Sequence, residues 1–170
     1  MNKQTRKLTL SALFSALAVV SLFFAVLWPS GELALAAFSS IFVAAAIIEE
    51  GISAGVYVYV CGSVLSLILF PGMPSPLFFA VFFGYYPVIK SFIERVRFAA
   101  LQWVLKLAVF NCALAAIYFF VKDVVFSFGD YSPGLLVICV VGSALLALFD
   151  YGFSKVIWLY MYQVHSRFKR

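Results

Sequence analysis

The polar residues of this chain gather at intervals. Between them run six almost wholly apolar stretches, residues 8–28, 33–50, 52–70, 77–94, 99–121 and 135–157. A helix that crosses a hydrocarbon core needs about 20 such residues, so each stretch predicts a transmembrane helix. Together they predict an all-α, polytopic integral membrane protein, with six transmembrane helices in a single bundle forming one domain over 1–170. The punctuation fits this segmentation. Pro29, Pro71, Pro74, Pro76 and Pro133 read as lying between the runs, where a residue without an N–H is least costly. The second run is short enough to tilt little or to be partly re-entrant.

The first run follows Lys3, Arg6 and Lys7 and has an outline like that of a signal peptide. Its apolar stretch exceeds the usual 7–15 residues or so of a signal core. The cleavage-like Ala34-Leu35-Ala36 lies inside the next apolar run. It therefore reads as an uncleaved first helix.

Composition confirms the solvent. Of 170 residues, 65% are hydrophobic and 11% charged, with a mean hydropathy of +1.09, and a water-facing core of this length cannot hide that much apolar surface. Twelve Lys and Arg against seven Asp and Glu leave a net charge of +5. The position of these charges matters more than their sum, because they cap the ends of the runs. In the six-span reading Lys3, Arg6, Lys7, Arg95, Arg97, Arg167, Lys169 and Arg170 share one side, and Lys122 stands alone among the basic residues on the other, with Glu32, Asp123 and Asp130. Retained positive charge marks the cytoplasmic side, so the expected protein is a multi-pass cell-membrane protein with both termini cytoplasmic. Trp158, Tyr160 and Tyr162 then form an inner interfacial belt. The lipid bilayer is the expected partner. A nucleic-acid footprint, which needs a basic face interleaved with readout residues, is not expected.

Cys61, Cys112 and Cys139 each lie within an apolar run without a CxxC pair, and His165 is the one histidine. No zinc site or disulfide framework follows, and the cysteines read as buried packing residues. Enzyme templates fail as well. The chain has no HExxH, GxSxG or Walker sequence. Neither catalysis nor a cofactor or metal is expected, and any active transport would draw its energy from another subunit or an ion gradient.

Ionisable groups at membrane depth are expensive and mark the candidate chemistry. Counting from Arg97, the rise of an α-helix puts Lys106 about 13 Å into the core. Gln102 lies one turn earlier on the same face and Asn111 lies deeper. Asp150, towards the cytoplasmic end of the sixth run, reaches a similar depth. A Lys106–Asp150 pair has two readings, a contact that fixes helix packing or a substrate or proton-coupling site. Glu49 and Glu50 precede Gly51 in a tight turn on an otherwise basic side and are expected to meet Lys90, Arg95 or Arg97, either as a clamp among the loops or as a docking point for a partner. Pro87 is the one proline within a run, so a kink or local unwinding is expected near Phe83, with Gly84, Tyr85 and Tyr86 beside the freed carbonyl. The tyrosines then either line a site or anchor an interface. Ala12 and Ala16, flanked by Ser11 and Ser15, make a small-residue ridge suited to close helix packing, within the chain or against another subunit.

The basic start running into Leu8-Thr9-Leu10-Ser11-Ala12-Leu13-Phe14-Ser15-Ala16, together with six expected spans, resembles the substrate-binding S components of bacterial energy-coupling factor transporters. That resemblance implies a role for Ala12 and Ala16 in contacting a coupling transmembrane subunit. It also implies two ABC ATPases that supply energy and a vitamin-type micronutrient bound towards the outer half. Phe82 to Lys90, Glu94, Trp103 to Lys106 and Phe110-Asn111 are similar to a family of small membrane proteins of Gram-positive bacteria with no assigned function, which adds Lys90 and Glu94 to the residues of interest. The expectation is thus a substrate-capturing subunit of a micronutrient uptake transporter. The alternative is a non-transport membrane protein with a scaffold or assembly role.

Overall fold

The structure is a computed structural model and describes residues 3–98, 101–112, 115 and 135–162. Every regular element in them is helical. In chain order these are α1 (Lys3–Leu27), a 3-10 turn (Pro29–Gly31), α2 (Glu32–Glu50), α3 (Ile52–Leu69), α4 (Pro74–Phe78), a π turn (Phe79–Phe83), α5 (Tyr86–Ile93), α6 (Leu101–Cys112) and α7 (Leu135–Tyr160). Among the described residues four helical stretches are long and apolar enough to cross a membrane, Gln4–Leu27, Glu32–Glu50, Ile52–Leu69 and Pro74–Ile93. The second run is therefore a helix of spanning length. Most of the fifth run after Cys112, the loop carrying Lys122, Asp123 and Asp130, and the tail carrying His165, Arg167, Lys169 and Arg170 lie outside the described residues.

The chain divides into two compact units, Met1–Phe92 with Lys155–Arg170, and Ile93–Ser154. In the first unit α1, α2 and α3 pack on one another, with α4 and the π turn against them. Residues repeating at intervals of four and three, Ser11, Ser15, Ala18, Leu22 and Ala25, form the buried face of α1. Ala54, Gly55, Val58, Gly62, Ser63 and Ser66 form that of α3. These faces are small because lipid is as apolar as leucine, so helices associate through close packing instead of through escape from water. A Cβ at Gly55 would overlap Ile47 of α2. The outer faces carry Leu13, Val20, Phe24, Val60 and Ile68, all exposed, as lipid contact requires.

Cys61 and Cys112 also lie on outer faces, contrary to the buried packing expected of them. Their helices are apolar all round, so an apolar setting in the sequence does not distinguish core from lipid surface. The side chain of Cys139 falls outside the described residues.

Two joints follow from residue chemistry. Gly51 stands between α2 and α3 at φ +90°, a conformation that β-carbons disfavour, and its N–H returns to Ile47 O at 3.0 Å. Pro74 and Pro76 do not precede the fourth helix but occupy its first turn, where N–H groups have no intrahelical acceptor.

Candidate functional site

The candidate chemistry of the second unit lies between α6 and α7. Lys106 Nζ donates to Asp150 Oδ2 at 2.9 Å and to Glu94 Oε1 at 3.3 Å, just past the end of α5. The Lys106 and Asp150 side chains are each 7% exposed, and that of Glu94 is 46% exposed. The ammonium also lies 5.7 Å from the centre of the Trp103 ring. The Lys106–Asp150 contact is thus the dry half of a three-membered cluster whose other carboxylate faces outward. Charge pairing of this kind is what allows ionised groups to persist at depth.

Five residues further along α6, Asn111 Nδ2 donates to Leu107 O at 2.9 Å and to Ser143 Oγ of α7 at 3.2 Å. Asn111 follows Lys106 while Ser143 precedes Asp150, so the two contacts form a polar seam between antiparallel helices. Gln102 turns to the backbone instead, donating to Val96 O at 2.7 Å and tying the start of α6 to the preceding turn. Asn111→Leu is expected to cost about 0.6 kcal/mol and not more than about 2, the range for hydrogen bonds between helices in lipid. Denaturant titration in detergent, with Ser143→Ala as the partner arm of a double-mutant cycle, checks this.

In the first unit the acidic pair at the α2–α3 joint has two partners not read from the sequence. Glu50 Oε1 pairs with Arg6 Nε at 3.1 Å, and Glu49 Oε1 accepts from the Tyr160 hydroxyl at 3.3 Å. Arg6 reaches Glu50 because α1 begins beside the place where α2 ends. Burial, and then the Glu49 carboxylate, push the Tyr160 hydroxyl up to about 12, so it remains a donor. The next cation of α1, Lys7, bonds the Ser53 hydroxyl and lies 5.6 Å from the centre of the Tyr57 ring. Lys90 is buried in the last turn of α5.

The expected disruption upstream of Pro87 takes the form of the π turn. Gly84 N–H donates to Phe79 O, five residues back, at 2.7 Å, so Ala80 O lacks the Gly84 donor that an α-helix would supply. The Tyr59 hydroxyl of α3 donates to that carbonyl at 2.9 Å. Tyr85 meets Tyr59 edge to face at 6.5 Å, and Tyr86 is buried. The tyrosine that bonds this carbonyl is Tyr59 of α3, and the carbonyl is that of Ala80, whereas the expectation from Pro87 concerned Phe83.

Ser11 and Ser15 turn into the bundle, whereas Ala12 and Ala16 face outward between Leu13 and Leu17. The ridge is split between two faces and only its alanines reach the outer surface. Trp158 and Tyr162, which follow the sixth run in sequence, are exposed and stack at 5.6 Å.

Three contributors carry little signal in the sequence: Ser143, an ordinary serine in an apolar run, Arg6 as the partner of Glu50, and Ser53 beneath Lys7. Among the described residues no group of three or more His, Cys, Asp or Glu side chains is placed to hold a metal ion. No protein-family model, curated protein or solved structure matches this chain.

Proposed function

We propose that this chain is the substrate-capturing subunit of a bacterial micronutrient uptake transporter. It would cross the cell membrane six times with both termini cytoplasmic, and be energised by a coupling transmembrane subunit and ABC ATPases. The observation that carries the proposal is the outward placement of Ala12 and Ala16 on α1. A helix face that meets only lipid gains nothing from small side chains, whereas a second membrane subunit can approach closely there. The basic stub immediately before this face, with Arg6 and Lys7 tied to α2 and α3, keeps the start of α1 in place for such a contact.

Affinity purification of the tagged chain from its native membranes in mild detergent tests this reading. Stoichiometric recovery of a transmembrane subunit with two ABC ATPases supports it. Their absence, under conditions that preserve a known transporter of this type, rejects it. Ala16→Trp is expected to reduce the recovered partner at least roughly tenfold, about 1.4 kcal/mol. Because Ala16 is exposed, the melting temperature of the chain itself should stay unchanged. A ligand panel adds a second arm, since a micronutrient that binds the folded state raises the melting temperature.

A second reading, a scaffold or assembly protein, is favoured by the seam between α6 and α7. Its polar groups satisfy one another within the chain, as groups that only hold helices together would.

A further inference from the structure

We propose that Lys7, Ser53 and Tyr57 form a headgroup site for an anionic phospholipid at the end of the bundle where α1 begins and α3 starts. Arg6 and Lys7 are adjacent but differ in their partners. Arg6 is paired with the Glu50 carboxylate. Lys7 is held against the Ser53 hydroxyl and the Tyr57 ring, both neutral, and among the described residues no carboxylate is placed within an ion-pair distance of it. A cation fixed in position by neutral groups keeps its charge available to an incoming anion. A phosphate oxygen is an acceptor for both the ammonium and the hydroxyl, and hydrogen bonds to an ionised acceptor are roughly twice as strong as neutral ones.

The surroundings select a lipid over a free anion. Tyr57 is half exposed, and Val56, Val60 and Val64 continue the same helix as exposed apolar surface, lying where an acyl chain would follow its headgroup. Tyrosine at this level is an interfacial residue, with an apolar ring and a polar tip. Anionic lipids attract basic segments at the membrane surface by about 1 kcal/mol per Lys or Arg. Here that general attraction is given a fixed address by Ser53 and Tyr57. The inference requires that the helices cross a bilayer and is independent of whether the protein transports anything.

The test is native mass spectrometry of the full chain released from nanodiscs that contain equal parts of phosphatidylglycerol and phosphatidylcholine. One retained phosphatidylglycerol per chain is expected, enriched at least roughly fivefold over phosphatidylcholine, a ratio equivalent to about 1 kcal/mol. Lys7→Gln combined with Ser53→Ala should abolish the enrichment. Arg6→Gln, which removes a cation already engaged by Glu50, should leave most of it. Both variants are to be compared at matched melting temperature in a zwitterionic detergent, and Tyr57→Leu provides a milder variant expected to weaken the enrichment in part. Equal retention of the two lipids, or undiminished enrichment in the Lys7/Ser53 double variant, would overturn the site. Thermal stabilisation by inorganic phosphate equal to that by phosphatidylglycerol would overturn its assignment to lipid.

Discussion

Lys106→Met is expected to cost about 3–5 kcal/mol, the loss found when one partner of a buried ion pair is removed. Methionine keeps the length and apolar bulk of the stem, so the change isolates the ammonium. Asp150, 7% exposed, loses the donor at 2.9 Å, while Glu94, almost half exposed, can turn to water. The two carboxylates should therefore respond differently. In a double-mutant cycle measured by reversible unfolding in detergent, adding Asp150→Leu to Lys106→Met should recover most of the loss, because the variant no longer buries a carboxylate that has lost the ammonium. Glu94→Gln alone should cost less than about 1 kcal/mol, as expected of a pair screened by solvent. Additive losses at Lys106 and Asp150 would remove the coupling inferred from their geometry.

The same cluster shows how far the sequence could be read. Lys106 and Asp150 stood out because charge inside an apolar run is expensive wherever it falls, and counting residues gave both a similar depth. Ser143 did not stand out, because a serine within a membrane helix is cheap enough to occur without a partner. The boundaries of α2 and α3 were legible at Gly51, where acidic residues and a glycine interrupt two apolar runs. The faces of those helices were not. In water, the polar face of an amphipathic helix identifies its buried side, but in lipid both faces are apolar. Cys61 and Cys112 could not be separated from core residues, nor Ala12 from Ser11, until the neighbouring helices were in place. The Arg6–Glu50 ion pair at the α2–α3 joint was missed for another reason. Glu50 meets Arg6 through the packing of α1 on α2, a tertiary contact that local patterning does not encode. Pro87 located a break in the fourth span, but not that the break would be a π turn answered by a tyrosine from α3.

That π turn leads to the second large effect, Gly84→Val, expected to cost about 3 kcal/mol, at the upper end of the usual overpacking range. Gly84 has ordinary right-handed dihedrals, φ −71° and ψ −43°, so its requirement is for space and not for backbone freedom. A Cβ there would lie 2.7 Å from Tyr59 Cδ2 and 2.8 Å from Phe79 O. The first atom belongs to a ring whose hydroxyl is engaged by Ala80 O, and the second to the backbone of the π turn, so neither can withdraw without breaking a hydrogen bond. Tyr59→Leu in the Gly84→Val background should restore only part of the stability, because it relieves the ring overlap and leaves the carbonyl overlap in place. Gly152 provides the contrast within α7. A Cβ there meets nothing within 4 Å, and Gly152→Ala should be neutral or stabilise by up to about 1 kcal/mol through helix propensity. The two glycines look alike in the sequence, each inside an apolar run. Opposite signs in thermal unfolding would show that the close approach of Tyr59 to the π turn is a stabilising contact of the fourth span. Equal responses would mean that the turn relaxes freely around an added side chain.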